Sequence, residues 1–154
     1  MAYTVTVETV SPRILAAVRH HMKVADIPTA FRPALDQVWA FLRSHPGLRS
    51  DGHNVFLYDH TSGGPANGMD VHFGVEVTRH FQASGNVSTV ETPQGRAAVT
   101  VHRGPYRDMA AGHAAIHRWI RDNGECMGAW SWEIYGDHND EESKLETTIA
   151  YLLG

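Results

Sequence analysis

The chain has 154 residues, which fits one compact domain with a worthwhile core and would leave two separate domains marginal. Hydrophobic residues make up 42% and charged residues 19%, an ordinary balance for a globular protein. With 13 basic against 17 acidic side chains, a formal charge of −4 and no Lys/Arg cluster to track phosphates, the chain is not expected to bind nucleic acid, whereas a cationic ligand is compatible.

The first residues, Met1-Ala-Tyr-Thr-Val, lack the basic start and apolar run of a signal peptide, and no stretch is long enough to span a bilayer. Cys126 is the single cysteine, so a reducing, cytoplasmic setting is expected. Tyr3 to Glu8 alternates apolar and polar residues, the pattern of a half-buried strand. After a turn at Val10-Ser-Pro12, Ile14 to Met22 alternates again, with Ile14, Ala16 and Val18 on one side and Leu15, Ala17 and Arg19 on the other. Helix-start signals at Asp26 to Thr29 precede a helix whose core stripe is Leu35, Val38, Trp39 and Leu42. Pro33 is expected in an early turn, and His45-Pro46-Gly47 ends the helix. Asn54 to Tyr58 predicts a third strand, and Asp59 to Gly68 a Gly/Pro/Asn loop. In the fourth strand Val71, Phe73, Val75 and Val77 line one face, with His72, Gly74 and Glu76 on the other. His80 to Asn86 reads as a linker. Beyond it, Gly95 to Arg103 is a strand ending in a Gly104-Pro105 turn before Tyr106. An apolar-striped helix then runs through Trp119, followed by a strand at Gly128 to Tyr135 and a final strand from Thr147.

The second half echoes the first. Thr6-Val-Glu-Thr9 recurs as Thr89-Val-Glu-Thr92, and Arg13 reappears as Arg96. Leu35, Val38 and Trp39 align with Ile116, Trp119 and Ile120; Val55-Phe-Leu-Tyr58 aligns with Trp132-Glu-Ile-Tyr135, and Val75 and Val77 with Ile149 and Tyr151. Four elements repeating in one order indicate a duplication, roughly 1–80 and 85–154, inside a single domain spanning 1–154. Neither half covers its apolar face alone. The expectation is an α+β fold in which duplicated βαββ units, each preceded by a strand, form one concave antiparallel sheet with two helices packed on its convex face. The six aligned helix residues are expected to be buried between helix and sheet. Because the duplication supplies its own pairing, a monomer is expected, with a protein partner left open.

Strand alternation then sorts the candidate site. With Val55, Leu57, Trp132 and Ile134 assigned to the helices, Phe56, Tyr58, Glu133 and Tyr135 face the other way, an aromatic lining around one anion. Such a lining suits a planar lipophilic molecule, and a cation gains both ring faces and the carboxylate. His72, which shares its strand face with Gly74 and Glu76, is a further candidate for the groove, weighed against an ordinary surface histidine.

The run Val101-His-Arg-Gly-Pro-Tyr106, the Trp119-Ile120 helix with Asn123-Gly124, and Trp132-Glu-Ile-Tyr135, set in a duplicated βαββ background, resemble the DNA-gyrase-inhibitor-like, or effector-binding, domain family. That family occurs alone and as the C-terminal ligand domain of AraC-type and MerR-type multidrug-sensing regulators. The resemblance implies a groove for lipophilic, often cationic compounds, with Glu133 as the acidic pocket residue and Tyr106 as the turn tyrosine. The last strand departs from the pattern, reading Thr147-Thr148-Ile149 where the family commonly has Thr-Glu, and Leu152 where it has proline. With no helix-turn-helix ahead of the domain, regulation is expected to run through ligand sequestration or another protein. The same family includes proteins that look like hydrolases of strained cyclopropane-containing natural products. For these the resemblance implies Glu133 as acid or base, with Tyr135 or Tyr106 as hydrogen-bond donor.

No cofactor and no metal site is expected. His113 and His117 share a helix face at the spacing of two ligands, but no Cys/His cluster completes the set, and His113 reads as a partly buried histidine beside Met109, Ile116 and Ile120. His20 and His21 point to opposite faces. Gly63 to Gly68 lacks the Lys-Ser/Thr of a phosphate loop, Asp137 to Glu142 lacks the spacing of a calcium loop, and Cys126 has no basic neighbour.

Overall fold

A computed structural model describes residues 2–64 and 66–154. Its strands are β1 (Thr6–Val10), β2 (Ile14–Met22), β3 (Arg49–Gly64), β4 (Gly68–Val77), β5 (Ser88–Glu91), β6 (Gly95–Arg103), β7 (Met127–Tyr135) and β8 (Glu146–Leu153). The helices are α1 (Ile27–Arg43) and α2 (Ala110–Asp122). All strand pairs are antiparallel, in the order β1-β6-β8-β7-β3-β4-β2-β5. Exchanging the halves reproduces that order, so a pseudo-twofold axis runs between β3 and β7. The duplication read from the sequence is thus a property of the fold, and each half is β-β-α-β-β.

The register corrects the sequence alignment at two places. Thr6 pairs with Val99, whereas Ser88 pairs with Ala17, the counterpart of Val99. Ser88, not Thr89, therefore takes the place of Thr6, and a one-residue slip on a strand changes its face. Likewise Asn54 pairs with Val75 and Ser131 with Tyr151, so Val75 corresponds to Tyr151 rather than to Ile149.

β1 and β2 stand first and seventh in the strand order, yet only residues 11–13 join them. A flat sheet would place them about 29 Å apart, and the link reaches at most about 14 Å. The sheet must curl until these strands meet. Beside this link the Thr92 N–H donates to the Arg13 carbonyl at 2.9 Å and the Arg13 N–H to Thr92 Oγ1 at 2.8 Å, extending the β2–β5 ladder by one pair.

Curling buries both faces. Leu15, Ala17, Val55, Leu57, Ala97, Val99, Trp132 and Ala150 cover one another on the inside without a helix. The outside carries the helices: α1 packs mainly on β2 and β4, and α2 on β6 and β8. Ala34, Leu35, Val38, Phe41 and Leu42 of α1 meet Ala16, Val18, Phe56, Tyr58 and Phe73, while Ile116 and Ile120 of α2 meet Ala98, Ile149 and Tyr151. The expected facing is therefore inverted. Phe56 and Tyr58 lie on the helix side, and Val55, Leu57 and Trp132 lie away from it, because an inner face closed by curvature is as apolar as one covered by a helix.

Three smaller expectations change. Trp39 and Trp119 are half-buried rather than core, with Ala34 and Phe41 taking more of the α1 interface. Pro33 sits within α1, where Pro28 already occupies the first turn, so its missing N–H costs one helical bond. Residues 59–68 are mostly strand, with β3 continuing to Gly64 and β4 starting at Gly68.

Candidate functional site

With each helix over its own outer strands, the central pair β3–β7 floors a groove between them. Phe56 and Glu133 are directly paired across the pseudo-twofold axis, flanked by Leu57 opposite Trp132 and Tyr58 opposite Ser131. Alternation puts Phe56, Tyr58, Ser131, Glu133 and Tyr135 on the groove side.

Glu133 is only 4% exposed. Its Oε1 accepts hydrogen bonds from the Tyr58 hydroxyl at 2.6 Å and the Tyr135 hydroxyl at 2.7 Å, and its Oε2 meets His113 Nε2 at 2.6 Å. The two tyrosines occupy equivalent positions in the two halves, so the duplication delivers two matched donors to one oxygen. Burial, followed by the adjacent Glu133 charge, pushes both phenols well above their ordinary value. They remain protonated donors throughout the neutral range.

The rings close around this anion. Phe56 packs edge-on to Phe73 at 4.9 Å and to Tyr135 at 4.8 Å, with Phe31 of α1 at 6.0 Å. Tyr106, 44% exposed, stands edge-on to Tyr135 at 5.4 Å. It is placed by the Gly104-Pro105 turn, where Gly104 adopts φ +129°, a conformation that a side chain would strain. Phe56, Tyr58, Tyr106, Glu133 and Tyr135 are therefore brought together as the sequence suggested. His72 is not: it pairs with Leu57 on the inner side of the sheet and lies near Trp130, away from the cluster.

Sequence reasoning passed over a second layer. His113 reaches Glu133 because Gly112 lets α2 settle closely on β8; a Cβ there would lie 2.7 Å from Ile149 Cδ1. His113 Nδ1 meets the Tyr151 hydroxyl at 2.7 Å, and Ser131, the strand partner of Tyr151, meets His60 Nε2 through its Oγ at 2.7 Å. Burial and the nearby Glu133 push the Tyr151 phenol up. His60 and His117 are pulled down, first by burial and then by neighbouring histidines. The available signal was His113 itself, since a histidine on a buried helix stripe needs a buried partner. Both of its nitrogens are engaged by Glu133 and Tyr151, which leaves neither for a metal shared with His117. Among the described residues, no group of three or more His, Cys, Asp or Glu is placed to hold a metal ion. Among them also, no helix is long and apolar enough to cross a membrane.

A family model described as the GyrI-like small molecule binding domain matches residues 3–152. Among solved structures, the C-terminal domain of EcmrR is similar at a TM-score of 0.82 and 21% identity, covering 100% of this chain and 99% of its own. The structure of SAV2435 bound to tetraphenylphosphonium is similar at a TM-score of 0.71 and 12% identity, over 100% of this chain and 94% of that one. A hydrolase from Listeria innocua is similar at 0.65 and 12% identity, over 97% of this chain and 91% of that one. At such identities these likenesses are of fold. No curated protein matches the chain.

Proposed function

The chain belongs to the GyrI-like family of small-molecule-binding domains, and from that premise we propose that it captures lipophilic cations in the groove between α1 and α2. Glu133 is the counter-charge, and Phe56, Tyr58, Tyr106 and Tyr135 are the aromatic lining. The observation that carries this reading is a carboxylate buried among rings and held by two phenol hydroxyls. Hydroxyls solvate an anion without neutralising it. In a groove shielded from water, a cation gains more from such an anion than it would in solvent, and the ring faces add their own attraction. Tyr106 is the exposed member of the cluster, and swinging it off Tyr135 opens the path to the carboxylate. SAV2435 binds tetraphenylphosphonium, which makes that cation a suitable probe.

The test is equilibrium binding of tetraphenylphosphonium and of neutral triphenylphosphine oxide to wild type and Glu133→Gln. The variant is expected to bind the cation about ten- to a hundredfold more weakly, with the neutral compound little changed, since every 1.4 kcal/mol of lost charge pairing is tenfold. Cation binding that ignores the substitution, or equal losses for both compounds, refutes the reading.

A hydrolytic role, with Glu133 directing water to a strained ring and Tyr135 or Tyr106 assisting, is the lesser reading. Three side chains already occupy the carboxylate oxygens, which suits an anchored anion better than a base. Turnover lost in Glu133→Gln with binding retained would reverse that order. The proposal also includes a monomer, because the internal duplication supplies the pairing that a single repeat would seek from a partner; light scattering checks it. The cytoplasmic setting rests on the lone Cys126.

A further inference from the structure

We propose that His113 sets the charge specificity of this groove: before a ligand binds it is the imidazolium counter-ion of Glu133, and a lipophilic cation binds by replacing that charge as His113 gives up one proton. The inference rests on the groove being the cation site. An imidazole nitrogen and a carboxylate oxygen 2.6 Å apart need a proton between them, since two lone pairs would repel. Neither tyrosine supplies it, because both hydroxyls are committed to Oε1. A neutral imidazole would supply that proton and leave the pair at −1. A lone anion is costly between side chains only 23% and 5% exposed, so His113 carries a second proton on Nδ1, toward the Tyr151 hydroxyl, and the pair is neutral.

The surroundings offer no other counter-charge. β7 contributes Glu133, β8 contributes Tyr151, β3 contributes Tyr58 and His60, and α2 itself contributes His117. From β6 comes His102, whose ring nitrogens are taken by the Tyr3 hydroxyl and the Pro105 carbonyl. Among the described residues, no lysine or arginine lies within ion-pair distance of Glu133.

A permanent cation gains the full carboxylate charge only when His113 loses its own, so the exchange is one cation in and one proton out. His113 gives up the Nδ1 proton to solvent, to which its side chain is 23% exposed, and keeps the Nε2 proton on Glu133. Neutral His113 then stays beside the occupied carboxylate without repelling the guest. A neutral aromatic leaves the pair intact and gains nothing from the exchange.

The experiment is calorimetric titration of the full chain with tetraphenylphosphonium in buffers of different ionisation enthalpy. About one proton is expected to be released per cation bound. The apparent affinity should then rise about tenfold per pH unit while the pair is protonated, and level off above that. Triphenylphosphine oxide should release none. His113→Gln, which keeps an amide donor near Glu133, should bind the cation with no proton release and a flat pH profile. Should that variant misfold, the imidazole 15N shifts of wild-type His113 give the same answer, with one nitrogen losing its proton at saturation. Cation binding without proton release, release that survives in His113→Gln, or unchanged 15N shifts would overturn the inference while leaving the groove reading in place. Failure of the wild type to bind the cation at all would overturn both.

Discussion

Where β3 meets β7, equivalent positions in the two halves hold Phe56 and Glu133 face to face. Each is approached by its own helix, Phe56 by Phe31 and Glu133 by His113. The first half has made this place an apolar contact, and the second has made it a hydrogen-bonded histidine–carboxylate pair. Because the backbone frame is common to both, the difference is one of side chains alone. A duplicated fold can keep one copy as a hydrophobic wall while the other acquires the charge. The axis then lets Tyr58 and Tyr135, one from each half, serve the same carboxylate oxygen.

The strongest way to break this asymmetry is to make the first half resemble the second. Phe56→Glu sets a second carboxylate opposite Glu133 with no partner of its own. It should cost about 3 to 5 kcal/mol in urea unfolding, the scale of an uncompensated buried charge. Adding Phe31→His should recover part of that loss, and no recovery would show that the helices do not approach the strands equivalently. Next in size, Tyr58→Phe and Tyr135→Phe each remove one donor to Glu133 Oε1 and should each cost about 1.5 to 3 kcal/mol. Unequal costs would show that one tyrosine holds the carboxylate and the other only lines the groove.

Alkaline pH probes the same two phenols together. Their folded values are raised, so their contribution is fully present below the unfolded value of about 10 and is lost as pH rises beyond it. Stability should fall by up to about 1.4 kcal/mol per pH unit per phenol, and Tyr58→Phe should remove one share of that slope. The smallest effect is at Thr147, which pairs with Tyr135 as Val71 pairs with Tyr58. Thr147 Oγ1 is buried with no hydrogen-bond partner among the described residues. Copying the first half by Thr147→Val should stabilise the protein by about 1 kcal/mol. A loss of stability instead would show that the hydroxyl is satisfied in solution.

Much of this was present in the sequence. Period-two alternation separated Phe56 and Tyr58 from Val55 and Leu57, and Glu133 and Tyr135 from Trp132 and Ile134, because a strand offers only two faces. The order of the repeats gave the duplication, and a carboxylate between aromatics marked the groove. Local pattern could not say which strand face meets the helices. That rule works when one face is wet, and here curvature buries the inner set as deeply as the helices bury the outer one. Nor could it place His72, whose side depended on the same choice.

What the sequence determined by itself was the set of elements, their repetition and the residues sharing each strand face, all consequences of short-range backbone geometry. Tertiary structure alone decided that three residues between β1 and β2 force the sheet to curl, that Tyr58 and Tyr135 converge on one oxygen, and that His113 lies over Glu133. Those contacts join residues on different elements, and no periodicity within either partner encodes the register that brings them together.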